Sequence, residues 1–165
     1  GNGSNYHIFG GWFALLTGAD LNYIHYNTSA PVVDVVAGRL DAIFDGFSAH
    51  GGNLKAGKLK ILALSAKERR PAFPEVPTFT EAGLPGFDVK VWYGLLAPAT
   101  TPGEIIAKFS AELGRIVAMT DVREKIVSAG LSPLFVPAER FGALIVADTA
   151  KFAKIIKTAN IRLEN

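Results

Sequence analysis

The sequence predicts an α/β protein whose first part is a parallel-sheet layer, and three observations lead there. Segments of helical and strand-like apolar spacing alternate at short intervals from residue 4 to residue 66. Two of the helical segments stop at glycines, Gly18 and Gly38, and each is soon followed by a strand-like run. Hydrophobic residues make up 49% of the 165 and charged residues only 19%, which is enough apolar matter for a real core.

The elements follow in chain order. From Ser4 the residues Ile8, Phe9, Trp12, Phe13 and Leu16 keep helical spacing, so a helix is expected over 4–17. "LNYIHY" (21–26) reads as a buried strand, "APVVDVVAG" (30–38) as a helix and "RLDAIFD" (39–45) as a second strand. "SAHGGNLKAG" (48–57) is a weaker helix, interrupted by Gly51 and Gly52, and "KLKILALSA" (58–66) is a third strand. Residues 67–101 carry Pro71, Pro74, Pro77, Pro85 and Pro98 and read as a connector, within which "FDVKVWYGLLA" suggests a strand over 88–96.

The remainder is helical. "TPGE" (101–104) offers Thr101 as an N-cap, Pro102 at the first helical position and Glu104 at the capping-box position, opening a helix over 102–118. A second helix is expected over 120–129, stopping at Gly130, and a third over about 137–158. That last helix turns Phe141, Leu144, Ile145, Phe152, Ile155 and Ile156 to one side, where Asp148 also falls and needs a partner. The expected organisation is an α/β lobe (1–66), a connector with a crossing strand (67–101) and C-terminal helices (102–165).

Charge narrows the function classes. Seventeen basic and 15 acidic residues give a net charge of +2 with no basic block, which argues against nucleic acid. The chain has no cysteine, so disulfides, thiolate metal sites and cysteine nucleophiles are excluded. No apolar run approaches the ~20 residues that cross a bilayer as a helix. The only methionine is Met119, so residue 1 is read as lying downstream of a translation start.

Candidate chemistry gathers where strands end and helices begin, which is where open parallel sheets bind ligands. "GNGS" sets the backbone of Gly3 and the hydroxyl of Ser4 at a helix start, which suits a carboxylate or phosphate; an ordinary N-cap explains Ser4 equally well. "HYNTSAP" supplies Tyr26, Asn27, Thr28, Ser29 and Ala30 at the next junction, and "FDGFSAH" supplies Asp45 and Ser48 at a third. Three polar, glycine-lined junctions on one edge of one sheet predict a ligand pocket. No Walker loop, full dinucleotide fingerprint, zinc spacing or GxSxG elbow is present, so neither cofactor nor metal is expected. A serine hydrolase built on Ser4 and His7 is the competing reading, with Asp45 as an orienting acid.

Taken together, "GNGSNYH", "YIHYNTSAPVVDVVAGRLDAIFD", "PEVPTFTEAGLPG", "GLLAPATTP" and "AKIIKTANI" resemble the substrate-binding receptors of tripartite tricarboxylate transporters, the Bug family. The resemblance runs from residue 1 to about 162. It implies a periplasmic-binding-protein-like fold of type II: two α/β lobes closing on a small carboxylate, which is delivered to membrane permease subunits from the periplasm without catalysis. It also implies that this chain holds the second lobe with C-terminal helices returning to a first lobe that is absent here, a fragment open to pairing or swapping into oligomers. The ligand loops it implies are Gly3 and Ser4, Tyr26 to Ala30, and Asp45 through Ser48. Where the family usually reads Tyr-Lys-Gly this chain has Tyr26-Asn27-Thr28, a neutral pair that a mono- or dicarboxylate, or an amino acid met by Asp45, fits at least as well as a tricarboxylate. A ligand-sensing module acting on a signalling partner is a further alternative.

Overall fold

The structure is a computed structural model describing residues 1–26 and 31–162. Asn27, Thr28, Ser29 and Ala30 lie outside the described residues. The helices come in the order α1 (Asn5–Thr17), α2 (Pro31–Val36), a 3-10 turn (Phe47–His50), α3 (Gly51–Lys55), α4 (Gly103–Ala118), α5 (Thr120–Ser128) and α6 (Ala138–Thr158). Two compact units are distinguished. One is Gly1–Val91 with the chain from Phe152 onward, and the other is Trp92–Lys151, so α6 begins in the second and ends in the first.

α1 starts and stops where its end residues dictate. Ser4 is extended (φ −72°, ψ 163°) and its side chain accepts from the His7 backbone N–H, while Gly18 takes the left-handed conformation (φ 69°) in which its N–H reaches the Ala14 carbonyl. The apolar face of α1 makes the core of its unit. Phe9 is buried with Phe87 and Val89, and Trp12, Phe13, Phe44, Phe79 and Phe152 pack around them. Phe87 is the hub, its ring 4.5 Å from Phe79, 5.4 Å from Trp12 and 6.0 Å from both Phe13 and Phe44. Gly10 and Gly11 lie on this helix because a Cβ there would come 2.9 Å from the Tyr23 ring and 2.7 Å from Ile161, respectively.

The proline-rich motif "EVPTFTEAGLPGF" folds on itself through a reciprocal cap. The Thr78 N–H donates to Glu81 (2.8 Å) and the Glu81 N–H donates to the Thr78 hydroxyl (3.2 Å), so a T-x-x-E box closes a turn outside any α-helix. Thr78 is 1% exposed, and Arg69 holds the far side of Glu81 at 3.0 Å. The turn thereby delivers Phe79 and Phe87 to the aromatic core.

Four expected strands are corrected. Among the described residues 21–26, 39–45, 58–66 and 88–96 form no ladder, and the backbone pairs in strand fashion only at a parallel bridge between Leu64 and Thr78. Two causes are visible. Pro74 and Pro77 both precede Thr78 and have no N–H groups to extend the bridge on that side. The Ser65 hydroxyl also takes up both backbone groups of Val89, donating to its carbonyl and accepting its N–H, so a side chain stands where a neighbouring strand would.

Smaller differences also have local reasons. Pro102 adopts φ −55° and ψ 139° and is itself the N-cap of α4, so the helix begins at Gly103 and the expected Thr101 cap is not made. Gly51 and Gly52, expected to interrupt a helix, begin the short α3 instead. Asp148 finds its partner in the indole N–H of Trp92 at 2.7 Å, beside an edge-to-face contact of Trp92 with Phe141. Phe141 also lies over Gly94, where a Cβ would overlap its ring.

Candidate functional site

At the first junction, Gly3 (φ 73°) presents its N–H to His7 Nδ1 at 3.1 Å, and the Ser4 hydroxyl accepts the His7 N–H at 3.4 Å. These two bonds close the first turn of α1 from both sides. They also give His7 a capping role: its Nδ1 serves as acceptor to the backbone, so the Ser4–His7 pair has the form of a cap rather than of a nucleophile and its base. The amino end of a 13-residue helix, with its partial positive charge, remains beside them.

The second junction reaches the first through rings. His25 lies 4.4 Å from His7 and Tyr23 lies 5.7 Å from it, so the end of the 21–26 segment abuts the first turn of α1. Tyr26 turns its hydroxyl to Asp34, which Arg39 also grips through Nε at 2.7 Å. The bond to Tyr26, followed by that to Arg39, holds the Asp34 carboxyl below the usual carboxylate range, and the same bond pushes the Tyr26 hydroxyl up.

The third junction belongs with the first as well. A Cβ at Gly46 would lie 3.6 Å from the Tyr6 hydroxyl. Asp45 uses one carboxylate oxygen on the Gly46 N–H (2.7 Å) and the other on His50 Nε2 (2.8 Å), with the His50 side chain only 12% exposed. Ser48 is exposed in the 3-10 turn.

The described parts of the three junctions therefore gather around the first turn of α1. Gly3 and Ser4 form that turn, His25 and Gly46 approach it, Asp45 and Ser48 belong to the turn that follows Phe44, Tyr26 directs its hydroxyl to Asp34, and nothing is described for 27–30. Sequence reasoning did not find His50, His25, Asp34 or Arg39. The i, i+5 spacings from Asp45 to His50 and from Asp34 to Arg39 belong to no regular element, so no periodicity marks them.

Two concavities among the described residues lie elsewhere. One of about 450 Å³ is lined by Thr120, Arg123, Glu124, Val127, Ser128 and Pro133, and one of about 400 Å³ involves Leu54, Leu59, Phe73 and Val76. No cluster of three or more potential metal ligands occurs among the described residues.

The fold is that of periplasmic binding proteins: a structure described as a periplasmic transporter superposes with a TM-score of 0.83 at 32% identity, covering 96% of this chain and 53% of that one, and that of the periplasmic binding protein BugD with 0.79 at 25% identity, covering 96% and 54%. The chain belongs to the family described as the tripartite tricarboxylate transporter family receptor, whose model matches residues 1–161. It is 33% identical to the "UPF0065 protein in tcbD-tcbE intergenic region" of Pseudomonas sp. (strain P51), over 94% of this chain and 47% of that protein. Rpa4515 of R. palustris with adipate superposes with a TM-score of 0.83 at 29% identity, covering 96% of this chain and 54% of that one. MatC from Rhodopseudomonas palustris with bound malate gives a TM-score of 0.76 at 31% identity, covering 93% and 54%. The chain thus spans about half the length of each of these three proteins. Members of this family bind solutes and are not enzymes, which removes the hydrolase reading of Ser4 and His7.

Proposed function

We propose that this chain is the ligand-contacting second lobe and C-terminal part of a periplasmic receptor that binds a small dicarboxylate and presents it to a membrane permease. The observation that carries the reading is the convergence of three junctions on the first turn of α1, where Gly3 and Ser4 offer backbone and hydroxyl groups at the positive end of a 13-residue helix. Adipate and malate in the similar proteins support the ligand class. In this reading Gly3, Ser4, the loop from Tyr26 through Ala30, Asp45 and Ser48 line one wall. The lobe spans 1–66, the connector 67–101, and the helices of 102–165 pack on a first lobe that supplies the other wall.

Asp45 narrows the choice further. Its oxygens are already engaged by Gly46 and His50, so it serves as a brace for the 45–50 turn rather than as a counter-charge to an amino group. Dicarboxylates are accordingly favoured over amino acids. Thermal denaturation of the full-length protein with adipate, malate, citrate and aspartate tests this: adipate or malate should raise the melting temperature most. A larger shift with citrate or aspartate contradicts the proposed ligand class.

A further inference from the structure

The turn between α3 and the 58–66 segment concentrates charge of one sign. Lys55, Lys58 and Lys60 fall close together along the chain, and no acid occurs from Gly46 to Lys67. The backbone sets the turn: Gly57 is left-handed (φ 67°), and the Lys58 and Leu59 N–H groups return to the Asn53 carbonyl at 2.9 and 3.3 Å. All three lysines are exposed, and none makes an ion pair among the described residues. Elsewhere Arg39, Arg69, Lys90, Arg115 and Lys125 each hold a carboxylate.

A basic turn alone is ordinary solvated surface. This one borders the concavity of about 400 Å³ whose lining includes Leu54, Leu59, Lys60, Leu62, Phe73 and Val76. Along 58–62 the outward residues are Lys58, Lys60 and Leu62, and Leu62 is 69% exposed between the charges and the hollow. Glu75 is the one acid in that lining, and it pairs with none of the three lysines. Neighbouring like charges repel, and a partner of opposite sign turns that cost into attraction. The complementary surface carries carboxylates around an apolar side chain. Recognition of a lipid surface ordinarily takes a cluster of about four to eight cations, so three beside an apolar hollow fit a protein better.

We propose that Lys55, Lys58 and Lys60, with the concavity beside them, dock an acidic face of the membrane permease. The inference rests on the receptor reading above and adds to it the surface that meets the permease. These lysines stand outside the residues assigned to the ligand wall, so delivery and ligand affinity can be separated.

The experiment replaces all three together, Lys55→Glu, Lys58→Glu and Lys60→Glu, in the full-length protein, with the Lys→Gln triple variant in reserve if charge reversal prevents folding. Calorimetry measures affinity for adipate and malate, and uptake of the same labelled acids is followed in cells whose only copy of the receptor is wild type or variant. Affinity should stay within about twofold while uptake falls at least about fivefold, as expected when docking charges are reversed or removed. A smaller fall in uptake, or a fall matched by lost affinity, overturns the inference. Flotation with phosphatidylglycerol vesicles free of protein is the second readout: wild type that floats with them, when the variant does not, assigns the lysines to lipid and also overturns it. Wild type that binds neither acid defeats the receptor reading and this inference with it, an outcome distinct from intact binding with unchanged uptake.

Discussion

Single side chains in this protein repeatedly do the work of missing backbone partners. Ser4 closes the first turn of α1, and Ser4→Ala should cost about 1 kcal/mol in thermal or denaturant unfolding. Glu81 does more, because it meets the Thr78 N–H and Arg69 at once, which hold its carboxyl below the usual range, the Thr78 bond foremost. A depressed carboxylate stabilises the fold above its unfolded pKa and loses that contribution as pH falls through the folded one. Melting temperatures recorded from neutral pH down to about pH 3 should therefore fall more in wild type than in Glu81→Gln, whose side chain does not titrate. Parallel curves for the two proteins would show that the Glu81 network carries no folding energy.

At the scale of elements, helices were legible and strands were not. The 3.6-residue apolar spacing of α1, α4, α5 and α6 is local information, as are Ser4, Gly18 and Gly130 at their ends. Strand pairing depends on a distant partner, and the segments at 58–66 and 88–96 meet through the Ser65 hydroxyl instead of a ladder. The α4 cap was misplaced by one residue because the composition of "TPGE" does not reveal that Pro102 takes an extended ψ. The site was legible as three junctions in order along the chain, whereas the Asp34 and Asp45 networks were not, since their spacings fit no period.

The aromatic core is where an element-scale prediction is sharpest. Phe87 is 3% exposed and contacts four aromatic rings, so Phe87→Ala should destabilise the protein by about 3–5 kcal/mol in denaturant unfolding. A loss below about 1 kcal/mol would mean that the cluster relaxes into the space, contrary to close packing.

At the scale of the whole molecule, burial is uneven. Among the described residues, the five buried hydrophobic ones all fall in Gly1–Val91 or from Phe152 onward, and none in Trp92–Lys151 is buried. Leu95 and Leu96, within the motif "GLLAPATTP", are 71% and 82% exposed. In the proposed arrangement this apolar surface is covered by the first lobe of the full-length protein. Leu95→Ser with Leu96→Ser in that protein should then cost several kcal/mol, on the order of 2 or more per residue, whereas truly exposed positions would change stability by less than about 0.5 kcal/mol.

The central claim is that this protein holds a small dicarboxylate. Native mass spectrometry of the full-length protein, purified without added ligand and then supplied with adipate and malate, addresses it most directly. The account predicts a one-to-one complex with a dicarboxylic acid, either retained from the cell or formed on addition. A spectrum showing only bare protein under both conditions would contradict it.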